Sequence, residues 1–285
     1  MIYSRIRGGL GNQLFQYCMA RSLADKLETN LGLDIRDFSQ DSPYLMGLKN
    51  FNIRANFDPP GMIKHKKNGY IKFLIDIISK NHKLVYKEPH LSFDKNYASL
   101  PNGSYLKGYW QSEKYFENNK LNILNDLRII TDQSSQNVEI SKQIASNVSV
   151  SLHIRRGDYV SNSEYNATHG TCSLSYYKTA VSYLLKNIGK NFTIFAFSDD
   201  PEWVYSNLKL PVDIRFVNNN SSEYSYEDLR LMSECNHNII ANSSFSWWGA
   251  WLNTNNNKIV IAPSKWYANQ YIKNNDIIPA NWIKI

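Results

Sequence analysis

From residue 147 onward the apolar residues of this 285-residue chain switch repeatedly between a period of two and a period near 3.6. No other feature restricts the fold as strongly. Val148, Val150, Leu152 and Ile154 mark a strand that ends in Arg155-Arg156-Gly157-Asp158. A helix follows over about 174–187, then a buried strand over about 192–197 and a helix from Pro201. Next come a short strand at 214–217 and a helix over about 225–235. A strand from Asn238 to Ala241 enters another helix start at Asn242-Ser243-Ser244, and Lys258 to Ile261 is a last strand. Strands and helices in turn predict an α/β unit on a parallel sheet.

The first half repeats this theme less regularly. Ile2 to Arg7 reads as a strand, Gly8, Gly9 and Gly11 as a turn, and a helix from Leu14 carries Ala20, Leu23, Ala24 and Leu27. Leu31 to Ile35 is a second strand, and Pro43, Pro59, Pro60 and Gly61 break up residues 37–66. A helix near 69–79, short strands near 84–86 and 104–107, and helices near 112–128 and 134–146 complete this half. The expectation is two Rossmann-like α/β domains facing a cleft, over 1–140 and 141–285, with the polar Thr131 to Asn137 segment as a link.

Hydrophobic residues at 42% and charged residues at 20% exclude an intrinsically disordered chain. The longest apolar window, Tyr70 to Ile78, is interrupted by Lys72 and Asp76, so nothing here spans a bilayer. Arg5 and Arg7 stand where an export signal needs an apolar core. Cys18, Cys172 and Cys235 form neither a disulfide set nor a metal-binding spacing, which fits a reducing compartment. A cytoplasmic protein is expected, and the N-x-S/T triplets are read as unglycosylated. A formal charge of +7 favours an anionic partner: a nucleotide, a nucleic acid or an acidic membrane surface.

Four segments carry chemistry. In Gly8-Gly9-Leu10-Gly11-Asn12-Gln13 a glycine turn lets backbone approach a ligand at a helix start, and Asn12 and Gln13 add amides there. A nicotinamide fingerprint with Asp34 as the ribose acid is the alternative, although Leu14 occupies the third glycine position. In His153-Ile154-Arg155-Arg156-Gly157-Asp158-Tyr159 two guanidiniums end an apolar strand, where a pyrophosphate would satisfy both. An Arg–Asp network is the structural alternative. Nucleic-acid binding is disfavoured, because clustered cations interleaved with aromatics are absent. In Phe197-Ser198-Asp199-Asp200-Pro201-Glu202-Trp203 three readings stay open: a helix N-cap, paired carboxylates on a metal, or a carboxylate reading guanine or ribose. Asn242-Ser243-Ser244-Phe245-Ser246-Trp247-Trp248-Gly249-Ala250-Trp251 repeats the strand-to-helix anion geometry, with Trp248 and Trp251 placed to pack. No hydrolase triad or classical zinc spacing occurs.

Together GGLGNQLFQY (8–17), HIRRGDY (153–159), FSDDPEW (197–203) and ANSSFSWWGAWL (241–252) resemble the alpha-1,2-fucosyltransferases of glycosyltransferase family 11. The resemblance implies a GT-B-like fold, GDP-fucose as donor, inversion at the fucose carbon, and no cofactor or required metal. The acceptor would be the 2-hydroxyl of a terminal galactose, with the N-terminal domain on the acceptor side. It further implies that Arg155 serves the diphosphate, with His153 and Asp158 as its catalytic neighbours. Gly11, Asn12, Gln13, Arg156, Tyr159, Ser198, Asp199, Asn242, Ser243, Ser244 and Phe245 would bind the donor. Bacterial members lack the membrane anchor of animal relatives, which implies a cytoplasmic enzyme of O-antigen or other surface polysaccharide synthesis, able to touch the anionic inner membrane peripherally. The general base is open among Asp158, His153 and Asp34. A metal-dependent transferase using Asp199 and Asp200, a nicotinamide oxidoreductase and a non-catalytic glycan- or nucleic-acid-binding protein are the rivals.

Overall fold

The computed structural model describes residues 1–38, 42–58 and 84–285. The helix expected near 69–79 and the breakers Pro59, Pro60 and Gly61 lie outside the described residues. The chain divides into two compact units, Met1–Arg128 and Ile129–Ile285. The division falls ahead of residue 140, because Asn137 of the helix after it bonds Asn219 and Asn220 of the second unit.

In the first unit the described elements are β1 (Ile2–Arg5), α1 (Leu10–Lys26), β2 (Leu31–Asp34), β3 (Asn56–Phe57), β4 (Val85–Lys87), β5 (Tyr105–Lys107) and α2 (Lys120–Asp126). The strands form one parallel sheet in the order β3-β2-β1-β5-β4. α1 starts four residues ahead of its expected position at Leu14. Gly8 alone makes the turn, with φ +78°, and the Gly9 carbonyl accepts from the Asn12 and Gln13 N–H groups at 2.9 and 3.1 Å. Gly11, Asn12 and Gln13 therefore sit in the first helical turn rather than before it. The helix expected over 112–128 is split instead. Ser112 caps a 3₁₀ turn at Glu113–Tyr115, and Phe116, with φ −142°, breaks the run before a second turn and α2. Both Tyr115 and Phe116 are buried, so core packing overrides the helical pattern.

The second unit contains α3 (Ser135–Ala145), β6 (Ser149–Ile154), α4 (Gly157–Ser161), α5 (Ser163–His169) and α6 (Leu174–Ile188). There follow β7 (Thr193–Ser198), α7 (Pro201–Asn207), β8 (Asp213–Val217), α8 (Ser225–Glu234) and β9 (His237–Ile239). α9 (Ser244–Leu252), β10 (Val260–Ala262) and β11 (Ile283–Lys284) close the chain. Its parallel sheet runs β11-β10-β9-β6-β7-β8. The strand order reverses between β6 and β9, the place where open α/β sheets take ligands.

Every residue of β6 is buried. Val150, Leu152 and Ile154 enter a cluster with Tyr177, Val181 and Leu184 of α6. The intervening polar residues are buried too, and Ser151 accepts from the Asn238 amide of β9 at 2.7 Å. The polar alternation thus marks a second covered face, not a wet one. On α9, Trp247, Trp248 and Trp251 are buried as packing residues. A Cβ at Gly249 would lie 2.9 Å from the Met232 Cβ, so glycine sets the close approach of α8 and α9.

Candidate functional site

At the carboxyl end of β6 the chain turns away from the sheet within two residues, and that turn is organised by carboxylates arriving from β7. Arg155 donates from Nη2 to Asp158 Oδ1 at 2.6 Å and pairs from Nη1 with Asp199 Oδ2 at 2.8 Å. The Arg156 N–H donates to Asp199 Oδ1 at 2.8 Å, and its Nε to Asp200 Oδ2 at 3.0 Å. The Arg156 guanidinium also lies 3.6 Å from the Trp203 ring centroid. Asp200 is the N-cap of α7, accepting from the Trp203 N–H at 3.3 Å, so the N-cap reading of this segment holds. Asp199 fills the space beside Gly157 so closely that a Cβ there would stand 2.4 Å from Oδ2. Burial alone would lower the Arg155 pKa, but Asp199 and Asp158 outweigh it and raise it.

Two arginines and three aspartates leave this cluster with one negative charge in excess. Two of the five N–H groups of the Arg155 guanidinium are committed to carboxylates, so a diphosphate can engage the remaining ones or displace a carboxylate. Each aspartate meets Arg155 through a single oxygen, and Asp158 belongs to the short α4. Asp199 is fixed by the Arg156 backbone. The two carboxylates of the SDD segment face guanidiniums, and among the described residues no group of three His, Cys, Asp or Glu side chains converges as a metal site.

His153 precedes the turn with 5% exposure, and burial, followed by the Arg155 charge, lowers its pKa to about 3. It is a neutral imidazole at any physiological pH, with Nδ1 buried and lacking a hydrogen-bond partner among the described residues. The Phe245 ring lies 5.6 Å away. Ser198 donates to the Ile154 carbonyl at 2.8 Å and accepts from the Asp200 N–H, so its hydroxyl ties β7 to β6. Ser243 caps α9 by accepting from the Phe245 N–H at 3.3 Å, while Ser244 is half-buried. The Asn242 amide donates to three carbonyls, of His169, Gly170 and Trp266, at 2.9–3.2 Å. Asn242 is thereby a clamp on backbone rather than a group turned to a ligand. Tyr159 stacks on His169 with centroids 4.7 Å apart and planes at 7°.

In the first unit, Gln13 is buried and its amide is consumed internally. It donates to the Gly8 and Leu45 carbonyls at 2.8 and 2.7 Å and accepts from the Gly47 N–H at 2.9 Å. That leaves it no group for a donor sugar nucleotide. Asn12 is half-buried and accepts from Gln111 at 2.8 Å, at the carboxyl ends of β1 and β5. Asp34 meets Arg36 through both oxygens and receives the Tyr105 hydroxyl. Burial raises its pKa, yet those bonds engage both oxygens and hold it below the ordinary carboxylate value, so Asp34 is a weaker base than a free carboxylate.

One residue escaped the sequence reading. Asp228, in the first turn of α8, accepts from the Asn220 amide at 2.7 Å, and burial pushes its pKa up to about 7. In the sequence it looks like an ordinary acid at a helix N-terminus; only burial sets it apart.

The sequence profile of glycosyl transferase family 11 matches residues 1–285. The chain belongs to glycosyl transferase family 11. It is 36% identical to an alpha-1,2-colitosyltransferase of Escherichia coli, over all of this chain and 99% of that one. It is 34% identical to the O-antigen biosynthesis glycosyltransferase WbnK of Escherichia coli, over 94% and 95% of the two chains. The crystal structure of the fucosyltransferase NodZ from Bradyrhizobium matches 87% of this chain and 90% of that one with a TM-score of 0.51 at 14% identity. The fold is thus the GT-B-like α/β class. This family 11 chain is a glycosyltransferase, and the oxidoreductase and non-catalytic readings are set aside.

Proposed function

We propose that the enzyme transfers L-fucose from GDP-beta-L-fucose, with inversion, to the 2-hydroxyl of a terminal galactose, in O-antigen or other surface polysaccharide synthesis. The observation that carries this reading is Arg155, held by two carboxylates at the carboxyl end of β6 beside the strand-order switch. Breaking the bond from fucose to GDP places negative charge on the diphosphate, and a guanidinium fixed there before reaction stabilises that charge. On donor binding Arg155 exchanges Asp158 for a phosphate oxygen. The released carboxylate then takes the proton of the acceptor hydroxyl as the new C–O bond forms and the electron pair of the old one departs with GDP. Arg156, clamped by Asp200 and Trp203, forms the wall behind it.

Asp228 takes the guanine-reading role first considered for Asp199 or Asp200, whose oxygens are turned to arginines. A carboxylate with two oxygens matches the adjacent N1–H and N2–H donors of guanine. No metal is needed in this scheme, because guanidiniums meet the leaving group; full activity in excess chelator is the expected result. Colitose is the 3-deoxy form of L-fucose, and the relationship to a colitosyltransferase makes GDP-colitose the second donor to try. Incubation with each donor and a panel of terminal-galactose sugars, with product linkage read by NMR, tests the proposal. An alpha-1,2-fucosyl product supports it; exclusive use of GDP-colitose, or another linkage, corrects it.

A further inference from the structure

The excursion between β6 and α6, absent from the sequence expectation, is built as a scaffold rather than a plain connection. Its two short helices end at Gly170, which has φ +60° and lies so close to residue 268 that a Cβ would stand 2.9 Å from the Ala268 Cβ. Backbone N–H groups of Ala268 and Asn269 donate to the carbonyls of His169 and Thr168, both at 3.2 Å. Asn242 clamps the same carbonyl of His169 from the end of β9. At the centre, His169 stacks on Tyr159, lies 5.5 Å from the Tyr267 ring and receives the edge of Tyr165 at 6.3 Å. Tyr159 in turn lies beneath the Arg155 guanidinium, at 5.4 Å.

Large apolar side chains remain open on this scaffold: Val160 is 48% exposed, Tyr165 39% and Tyr271 85%. Single exposed aromatics are ordinary on a protein surface; Tyr165 is set apart by its contact with the His169–Tyr159 stack beneath Arg155. This surface adjoins Arg155 and Asp158, where the sugar being transferred, and so the acceptor hydroxyl, must lie. Galactose has one face of C–H groups, which packs on an aromatic ring while its hydroxyls remain wet.

We propose that the 157–170 excursion with the 267–271 loop is an acceptor subsite on the second unit, and that Tyr165 is its galactose platform. The proposal rests on the function proposed above and names the residue through which that site would select its acceptor.

Two readouts separate its failure from failure of that function. The first is ligand-observed NMR of methyl beta-galactoside on the intact protein with GDP, which needs no turnover. Saturation transfer to the galactose C–H protons is expected, and is expected to vanish in Tyr165→Ala. The second is steady-state transfer: Tyr165→Ala should raise the acceptor KM about tenfold with the donor KM unmoved. Tyr165→Phe should restore it, and Tyr224→Ala, a more exposed tyrosine elsewhere on the unit, should leave the acceptor KM unchanged. A wild-type acceptor KM in Tyr165→Ala, or undiminished saturation transfer, overturns the platform even if the enzyme is a fucosyltransferase. Loss of galactoside binding in Tyr165→Ala, with neither GDP-sugar used by wild type, would support the platform and sink the function.

Discussion

Asp228 shows how far one burial event can move the chemistry of a residue. Its carboxyl ionises near 7 in the folded protein against about 3.9 in an unfolded chain. The folded state therefore holds the proton longer, and this group erodes stability as pH rises from about 4 to about 7. Asp228→Asn is expected to raise Tm at pH 8 and leave it unchanged near pH 4, as read by thermal melts at both. If the carboxylate receives guanine, GDP binding must first expel that proton, so affinity should rise between pH 6 and pH 8 in wild type. Calorimetry should find this rise absent in Asp228→Asn. A pH-independent wild-type affinity would remove Asp228 from the nucleotide site. His153 contributes nothing to that profile, since its imidazole is already neutral.

At the scale of elements, the turn after β6 depends on a glycine for space rather than for backbone freedom. Gly157→Ala drives a methyl into the Asp199 carboxylate and so should displace Arg155, lowering kcat by at least tenfold with a change in Tm of only a few degrees. Asn242→Ala acts otherwise. It removes three bonds to backbone and is expected to cost about 1–3 kcal/mol in denaturant unfolding. Most strands and helices of the second unit were legible because each carries its own hydrophobic period. The strand expected to be last, at 258–261, is followed by β11, whose two residues are too short to show one. α4 and α5 were not legible, because Gly157–His169 is held by ring stacking and by carbonyl bonds to residues 242, 268 and 269. Such long-range partners leave no periodicity. The same limit hid the internal bonds of Gln13 and Ser198, which were expected to bind the donor: what their amide or hydroxyl touches is settled only in three dimensions.

Across the whole molecule the charge is divided unevenly. Residues 1–128 carry 19 Lys and Arg against 12 Asp and Glu, whereas residues 129–285 carry 13 of each. The excess of +7 therefore belongs entirely to the first unit, and the unit proposed to hold the anionic donor is neutral. Donor binding would then rest on a few fixed groups, not on a long-range field. Raising salt from about 0.1 to 1 M contracts the Debye length from about 10 to about 3 Å, and the donor KM should change little. Adsorption of the intact protein to phosphatidylglycerol vesicles, if the first unit's charge serves a membrane surface, should be abolished by the same salt. Parallel loss of donor affinity would show that the field, not the local geometry, gathers the donor. Among the described residues no helix is long and apolar enough to cross a bilayer.

All of this turns on whether Arg155 is where the leaving diphosphate is stabilised. The decisive measurement is kcat/KM for transfer from GDP-fucose by Arg155→Ala, with a thermal melt to confirm that the variant is folded. A loss of roughly a hundred- to a thousandfold, not recovered by Arg155→Lys, is the predicted result. Turnover close to wild type in a folded Arg155→Ala protein would contradict the account.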